Sequence, residues 1–414
     1  MGKAIVIGAG IIGLSSAYYL QQSGWEVTVL EKGDLSDNCS FGNAGMIVPS
    51  HFVPLAAPGM LEKGIKWMFD SKSPFYVKPS LNMNLVGWGL KFMKSANKQQ
   101  AENAAVPLRD ISLLSKDLYN DITAKIGDFG LTNNGILMLY KSEKVGEEEL
   151  HIAEQARNLG LDVVSLTAAE SQKLQPELKL DVLGGIHYRC DAHLNPNRLL
   201  RLLQQYLTNS GVKIIPQAEV TKIVRETGKI TKVIASGKEY AADHYVLAGG
   251  SWSPEIAKSA GFKIPLMPGK GYSFKVNDTQ KNMHIAALLC EAKVSVTPMG
   301  DKIRFGGTME IDAVNDRINM NRVKGIVESI PKYFPDLKPA LPEVKDIWFG
   351  FRPCSPDGLP YLGNSKTLKN LTVATGHGMM GISLGPATGK LVAELINGDA
   401  LSMDINPFSA NRYL

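Results

Sequence analysis

Three glycines spaced GxGxxG (Gly8, Gly10 and Gly13) and an acid at Glu31 can together hold an anion against bare main chain and grip the sugar beside it. Gly8 permits a tight turn out of a strand. Gly10, lacking a Cβ, lets a pyrophosphate approach the backbone, and Gly13 lets the following helix pack closely on a sheet. Glu31 can accept both ribose hydroxyls of an adenosine, and its charge repels a 2′-phosphate, which argues against NADP. Far along the chain one arginine, Arg352, stands in the Gly/Pro-punctuated stretch 350–363. The planar fork of a guanidinium suits a carboxylate. The competing reading pairs it with a structural acid such as Asp357.

The elements that must place these residues follow from local pattern. Lys3–Ile7 is a short β-branched run, a helical pattern through Leu14, Tyr18 and Leu20 ends at Gly24, and Glu26–Leu30 reads as a second strand. Strand, turn, helix and strand with the acid in register make the dinucleotide-binding fingerprint, open at this point to FAD or NAD. The small polar loop at 33–45, with Ser40-Phe41-Gly42-Asn43-Ala44-Gly45, suits a backbone passing close to a flat ligand. Near the other end of the chain, 371–374 reads as a strand, Thr375-Gly376-His377-Gly378 as a turn and 385–395 as a helix. A pyrophosphate needs only one such passage. A second can aim its helix N-terminus at another anionic region, such as the pyrimidine edge of a reduced flavin, and this favours FAD.

Composition bounds the remainder. The 414 residues hold two or three domains' worth of core, with apolar and charged content ordinary for a globular protein. No uncharged run reaches the ~18 apolar residues of a membrane span. The fingerprint strand begins at residue 3, leaving no room for a signal or transit peptide, so a cytoplasmic location is expected. Cys39, Cys190, Cys290 and Cys354 are widely spaced and read as free thiols, and no histidine cluster points to a metal. The net charge is +5, and residues 61–98 alone carry Lys63, Lys66, Lys72, Lys78, Lys91, Lys94 and Lys98 against Glu62 and Asp70. Without arginine-rich or aromatic-platform motifs this does not read as a nucleic-acid surface.

Within that basic stretch Leu61, Ile65, Met68 and Phe69 share one helical face, and Leu85, Trp88 and Phe92 another. Such a pair can lie on the inner face of a membrane; the other reading is a helical wall of a substrate domain. Helices are expected at 104–127, 148–159 and 197–210, and strands at 136–140 and 212–215. A small β-meander is expected at 220–225, 229–235 and 239–241. The buried strand 245–248 ends in Gly249-Gly250-Ser251-Trp252, a further glycine pair suited to a dinucleotide. From 265 to 347 the pattern is mostly strands (271–276, 294–298, 303–306) interrupted by a helix at 321–330.

The fingerprint, the 40–45 loop, 350–363 and 375–396 together resemble the D-amino-acid-oxidase family of FAD-dependent oxidoreductases, which includes glycine oxidase and sarcosine oxidase. Ala56-Ala57-Pro58-Gly59, Ile65-Lys66-Trp67-Met68-Phe69 and Lys270-Gly271-Tyr272-Ser273 are similar to its bacterial D-amino-acid dehydrogenase branch. The resemblance implies an α/β fold: a Rossmann-like FAD domain built from discontinuous segments, with a substrate domain centred on a large mixed sheet. The expected boundaries are 1–50, 146–264 and 348–414 for the FAD domain, and 51–145 and 265–347 for the substrate domain. It further implies that Arg352 binds the substrate carboxylate. Tyr272 is expected to cover the substrate or donate to its carboxylate, with a core tyrosine as the other reading. His51 is expected to line the pocket. In sarcosine oxidase a cysteine holding the flavin sits just ahead of the turn; Gly350 falls there, so FAD is expected to be non-covalent.

The cofactor is then expected against Gly8, Gly10, Ile11, Ile12, Gly13, Glu31 and Lys32, against Ser40, Asn43, Ala44, Gly45 and Met46, and against Val220, Ala248, Gly249 and Trp252. At the C-terminal passage it is expected against Gly376, His377, Gly378, Met379, Met380 and Gly381. The reaction expected is oxidative deamination of a D-amino acid, or of a cyclic imino acid such as proline or hydroxyproline. A hydride would pass from Cα to flavin N5, and electrons to a quinone or another carrier. An oxygen-using glycine or sarcosine type of amine oxidase is the alternative within enzymes. A non-catalytic FAD-binding subunit is the alternative outside them.

Overall fold

The structure, a computed structural model, describes residues 2–56, 59, 72–78, 82–277 and 282–413. The helical face expected at Leu61, Ile65, Met68 and Phe69 lies outside the described residues. The elements that bear on the site are, in chain order, β1 (Lys3–Ile7), α1 (Ile11–Gln22), β2 (Glu26–Leu30) and α2 (Met83–Ser95). They continue with β3 (Met267–Asn277), β4 (Lys302–Ile311), β5 (Trp348–Cys354), β6 (Leu371–Thr375) and α3 (Gly381–Asn397).

A six-stranded sheet runs in the order Tyr361–Asn364, β6, His244–Leu247, β1, β2, Lys213–Ile215. Its pairs are parallel except the one between Tyr361–Asn364 and β6. Strand β1 is apolar from Ala4 to Ile7 and buried throughout, as a central parallel strand covered on both faces must be. Helices α1 and α3 pack against each other over this sheet. Leu14 and Leu20 of one and Leu391 and Val392 of the other lie in a single core cluster, each contributing about 1.5–3 kcal/mol of burial. The approach is close. A Cβ at Gly389 would stand 2.4 Å from the Ser15 carbonyl carbon. The three-stranded meander Val220–Glu226, Lys229–Ala235 and Lys238–Tyr240 flanks this sheet.

A second, mixed sheet of nine strands runs β5, β3, β4, Val294–Pro298, Ala286–Leu289, Ile136–Tyr140, Gly184–Tyr188, Val163–Thr167, with Phe75–Val77 joining β4. Helix Met320–Tyr333 covers one face through Val323, Ile326 and Ile330. Two differences from the sequence reading follow. Strands Val163–Thr167 and Gly184–Tyr188, within the stretch 146–264 expected beside the dinucleotide sheet, pair into this larger sheet through Ile136–Tyr140. The stretch 350–363, expected as one long turn, begins inside β5, and its turn is confined to residues between β5 and Tyr361–Asn364. β5 is an edge strand paired along β3 from Met267 to Ser273, which is why it tolerates Gly350 and Pro353.

Candidate active site

Where the two sheets face each other they enclose a cavity of about 1330 Å³. Its first wall is the end of β1. Gly8 has φ +107°, a turn open to glycine, and a Cβ at Gly13 would sit 1.8 Å from the Gly8 carbonyl oxygen, so helix and turn are in backbone contact. The residue ahead of α1, Gly10, offers no side-chain cap, and Met380 ahead of α3 offers none either. Five other helices are capped by the side chains of Asn82, Asn97, Ser142, Thr167 and Asn195. The ends of α1 and α3, both bordering the cavity, therefore present backbone N–H groups that an anion can meet. The Ile11 N–H meets Ser40 Oγ at 3.1 Å.

Glu31 closes the β2 side. Its oxygens accept the N–H groups of Ala9 at 2.7 Å and Gly33 at 2.9 Å, which fixes the carboxylate with lone pairs left over for hydroxyls. Lys32 Nζ lies 3.4 Å from the Trp252 ring centroid, and both side chains border the same end.

The 40–45 loop is held from outside. Arg304, buried on β4, donates from Nη1 to the carbonyls of Phe41 and Asn43. Ser273 Oγ donates to the Gly42 carbonyl at 2.8 Å. The Trp348 ring lies against Gly42, where a Cβ would come within 1.8 Å of it. The larger sheet thus shapes the loop that the smaller sheet supplies.

Arg352 enters from β5. Its Nη1 donates to the Thr308 carbonyl at 2.6 Å, and among the described residues no carboxylate pairs with it. Asp357, the structural acid expected as its competitor, is held by Arg412 at 2.6 and 2.9 Å. Burial pushes the Arg352 guanidinium below its ordinary pKa range, with the cation still the form at neutral pH. Gly271 gives it room, since a Cβ there would stand 2.1 Å from Nη1. Thr308 itself sits at φ +64°, unusual for a β-branched residue, with its carbonyl turned to the guanidinium.

The remaining expected residues divide. Gly8, Gly10, Ile11, Ile12, Glu31, Lys32, Ser40, Asn43, Ala44, Met46, Val220, Ala248, Gly249, Trp252, His377, Gly378, Met379, Met380 and Gly381 border the cavity, as do Arg352 and His51. Gly13, Gly45 and Gly376 stand behind this lining and shape it. Gly45 and Gly376 do so at φ +76° and +80°. Tyr272 reaches the cavity, but its hydroxyl donates to Glu310 at 3.1 Å and accepts the Asn319 N–H, outside the lining. That hydroxyl is a core group and not a carboxylate ligand. His377 is neutral, pushed down to about 3 by burial, with Nε2 on Thr388 Oγ1 at 3.0 Å. His51 is likewise pushed down to about 4 by burial and, secondarily, by Lys293. The sequence reading missed the far wall, Lys144, Glu148, Glu149, Glu291 and Lys293, whose residues carry no motif and meet only in the folded chain. All four cysteines are free thiols.

A dinucleotide cleft joined to a half-buried arginine that no described carboxylate pairs with fits an oxidoreductase with a bound dinucleotide cofactor. A family model of FAD dependent oxidoreductases (DAO) matches residues 3–395, and the chain belongs to that family. It is 32% identical to a D-amino acid dehydrogenase of Helicobacter pylori, covering 99% of this chain and 98% of that protein. It is 31% identical to one of Vibrio atlanticus over the full length of both. The fold matches glycine oxidase from Geobacillus kaustophilus (TM-score 0.79, 23% identity, 100% of each chain). It also matches L-proline dehydrogenase from P. horikoshii (TM-score 0.76, 20% identity, 99% and 97% of the chains). The cavity suits FAD: the ends of α1 and α3 without side-chain caps, the fixed Glu31 carboxylate and a backbone opened by glycine all border it.

Proposed function

We propose that the protein is a FAD-dependent D-amino-acid dehydrogenase that oxidises the Cα–N bond of its substrate. The observation carrying this reading is Arg352, a cation in the lining of the cavity that no carboxylate pairs with among the described residues. A substrate carboxylate supplies the missing partner and fixes the molecule by a two-point grip. FAD, when bound without a covalent tie, supplies the acceptor for the hydride leaving Cα. The chain's residues do the remainder: Arg352 orients the acid, and the α3 N-terminus would face the negative charge that reduction develops. Glycines 8, 10 and 13, Glu31, the 40–45 loop and residues 376–381 are the cofactor's holders in this reading. The FAD unit comprises the six-stranded sheet with its helices and meander, and the substrate unit the nine-stranded sheet.

The electron acceptor is a quinone or another carrier at a membrane surface. Helix α2 supports this, with Met83 (78% exposed), Val86 (45%), Leu90 (59%) and Met93 (51%) on one stripe and Lys91 and Lys94 beside it. No helix among the described residues is long and apolar enough to cross a membrane. The test is anaerobic bleaching of the flavin absorbance with D- and L-amino acids, glycine, sarcosine and hydroxyproline isomers. D-amino acids should bleach it, without peroxide once air is admitted. Peroxide formation would make it an oxidase, and no bleaching by any of these compounds would remove it from amino-acid chemistry.

A further inference from the structure

We propose that His51, Ser50 and Asp191 form a proton relay that strips the substrate's ammonium group before oxidation; this rests on the amino-acid reading above. A zwitterionic amino acid has no nitrogen lone pair to assist departure of the Cα hydride, so one N–H proton must leave first.

The geometry supplies the path. Asp191 is fully buried and receives two bonds from one residue, the Ser50 N–H at 3.0 Å on Oδ1 and Ser50 Oγ–H at 2.6 Å on Oδ2. The serine's single hydroxyl proton is thereby committed, so its oxygen meets His51 Nδ1, 3.1 Å away, as an acceptor. That places the imidazole proton on Nδ1 and leaves a lone pair on Nε2. Nε2 has no partner among the described residues and is not shut away from the cavity that Arg352 also borders.

The transfer balances. The substrate N–H bond breaks as His51 Nε2–H forms, Nδ1–H breaks as a Ser50 O–H forms, and the original Ser50 O–H breaks as Asp191 O–H forms. One proton leaves the amine, one arrives on the carboxylate, and the imidazole ends neutral in its other tautomer. A half-buried imidazole held down near about 4 is too weak a base to keep the proton, and the relay removes that requirement. Burial holds Asp191 up at about 7, matched to an acceptor working near neutrality. The charged and titratable groups around the relay are Lys293 with Glu149 at 3.8 Å, Glu148 beside them, and Lys116, Cys190 and Tyr188 around Asp191. Lys116, whose Nζ donates to the Cys190 carbonyl at 2.7 Å, favours the ionised carboxylate.

The experiment follows flavin reduction in the holoenzyme across pH, using the panel member that reduces it fastest. Ser50→Ala and Asp191→Asn should each lower kcat/KM near neutrality by about 100-fold or more. The loss should close at alkaline pH, where the amine is already neutral. Ser50→Thr, which keeps the hydroxyl, should retain the parent profile. A loss independent of pH, or no loss, overturns the relay. Nitrogen-15 spectra of the parent's histidines, with His51→Gln assigning the signal, decide it even if the variants lose FAD: an Nδ1–H tautomer is expected, and Nε2–H overturns it. Failure of every amino acid to reduce the parent flavin would instead sink the substrate reading, leaving the spectra to report on the hydrogen bonds.

Discussion

A half-buried cation without a counter-ion among the described residues costs stability, and Arg352 is tolerated because Gly271 leaves its fork flat space and the Thr308 carbonyl accepts one of its hydrogen bonds. Two replacements probe this. Arg352→Leu should raise KM for the amino acid by about 100-fold or more, the loss of two charge-assisted hydrogen bonds at about 1.5–3 kcal/mol each. Gly271→Ala should also raise KM, because its Cβ takes the place of the guanidinium, while FAD stays bound. Steady-state kinetics beside the flavin spectrum reads both. Asp191 gives a pH prediction of unusual sign. Its carboxyl is raised from 3.8 to about 7 by burial, so the folded chain binds a proton that the unfolded chain releases. Stability from this group is full below the unfolded value and is lost as pH rises towards about 7. Asp191→Asn should therefore gain in Tm relative to the parent as pH climbs through that window, in thermal melts; a constant difference would refute it.

At the scale of elements, the contact between α1 and α3 is the tightest test of how the chain's two ends meet. Gly389→Ala gains about 1 kcal/mol of helix propensity. It also drives a methyl to 2.4 Å from the Ser15 backbone, and such overpacking costs about 1–3 kcal/mol. The clash should win, lowering Tm and weakening FAD retention together. What was legible in the sequence at this scale had local signals: the βαβ fingerprint, the meander at 220–240 and the C-terminal strand and helix, whose apolar runs match their burial. β5 was not legible, because Gly350 and Pro353 are turn punctuation in sequence, and only an edge position beside β3 lets them lie in a strand. Nor was the bond from Ser50 to Asp191, whose partners stand 141 residues apart. Arg352 stood out by its residue type and its setting, but its freedom from Asp357 required Arg412 to be seen.

For the molecule as a whole, the exposed stripe of α2 departs from a surface built only for water. Trp88 and Phe92 face inward while Met83, Val86, Leu90 and Met93 face out, so the helix is apolar on opposite sides. Leu90→Glu with Met93→Glu should abolish co-sedimentation with vesicles containing anionic lipid and leave flavin reduction by the amino acid unchanged. Retained sedimentation would detach the stripe from the membrane. The six-stranded sheet carries a different consequence. β1 pairs with His244–Leu247, which pairs with β6, and α1 is covered by α3, which begins at Gly381, far along the chain from Ile11. The first βαβ unit thus emerges from the ribosome hundreds of residues before its covering helix exists. Its apolar face must be shielded until α3 arrives to cover it.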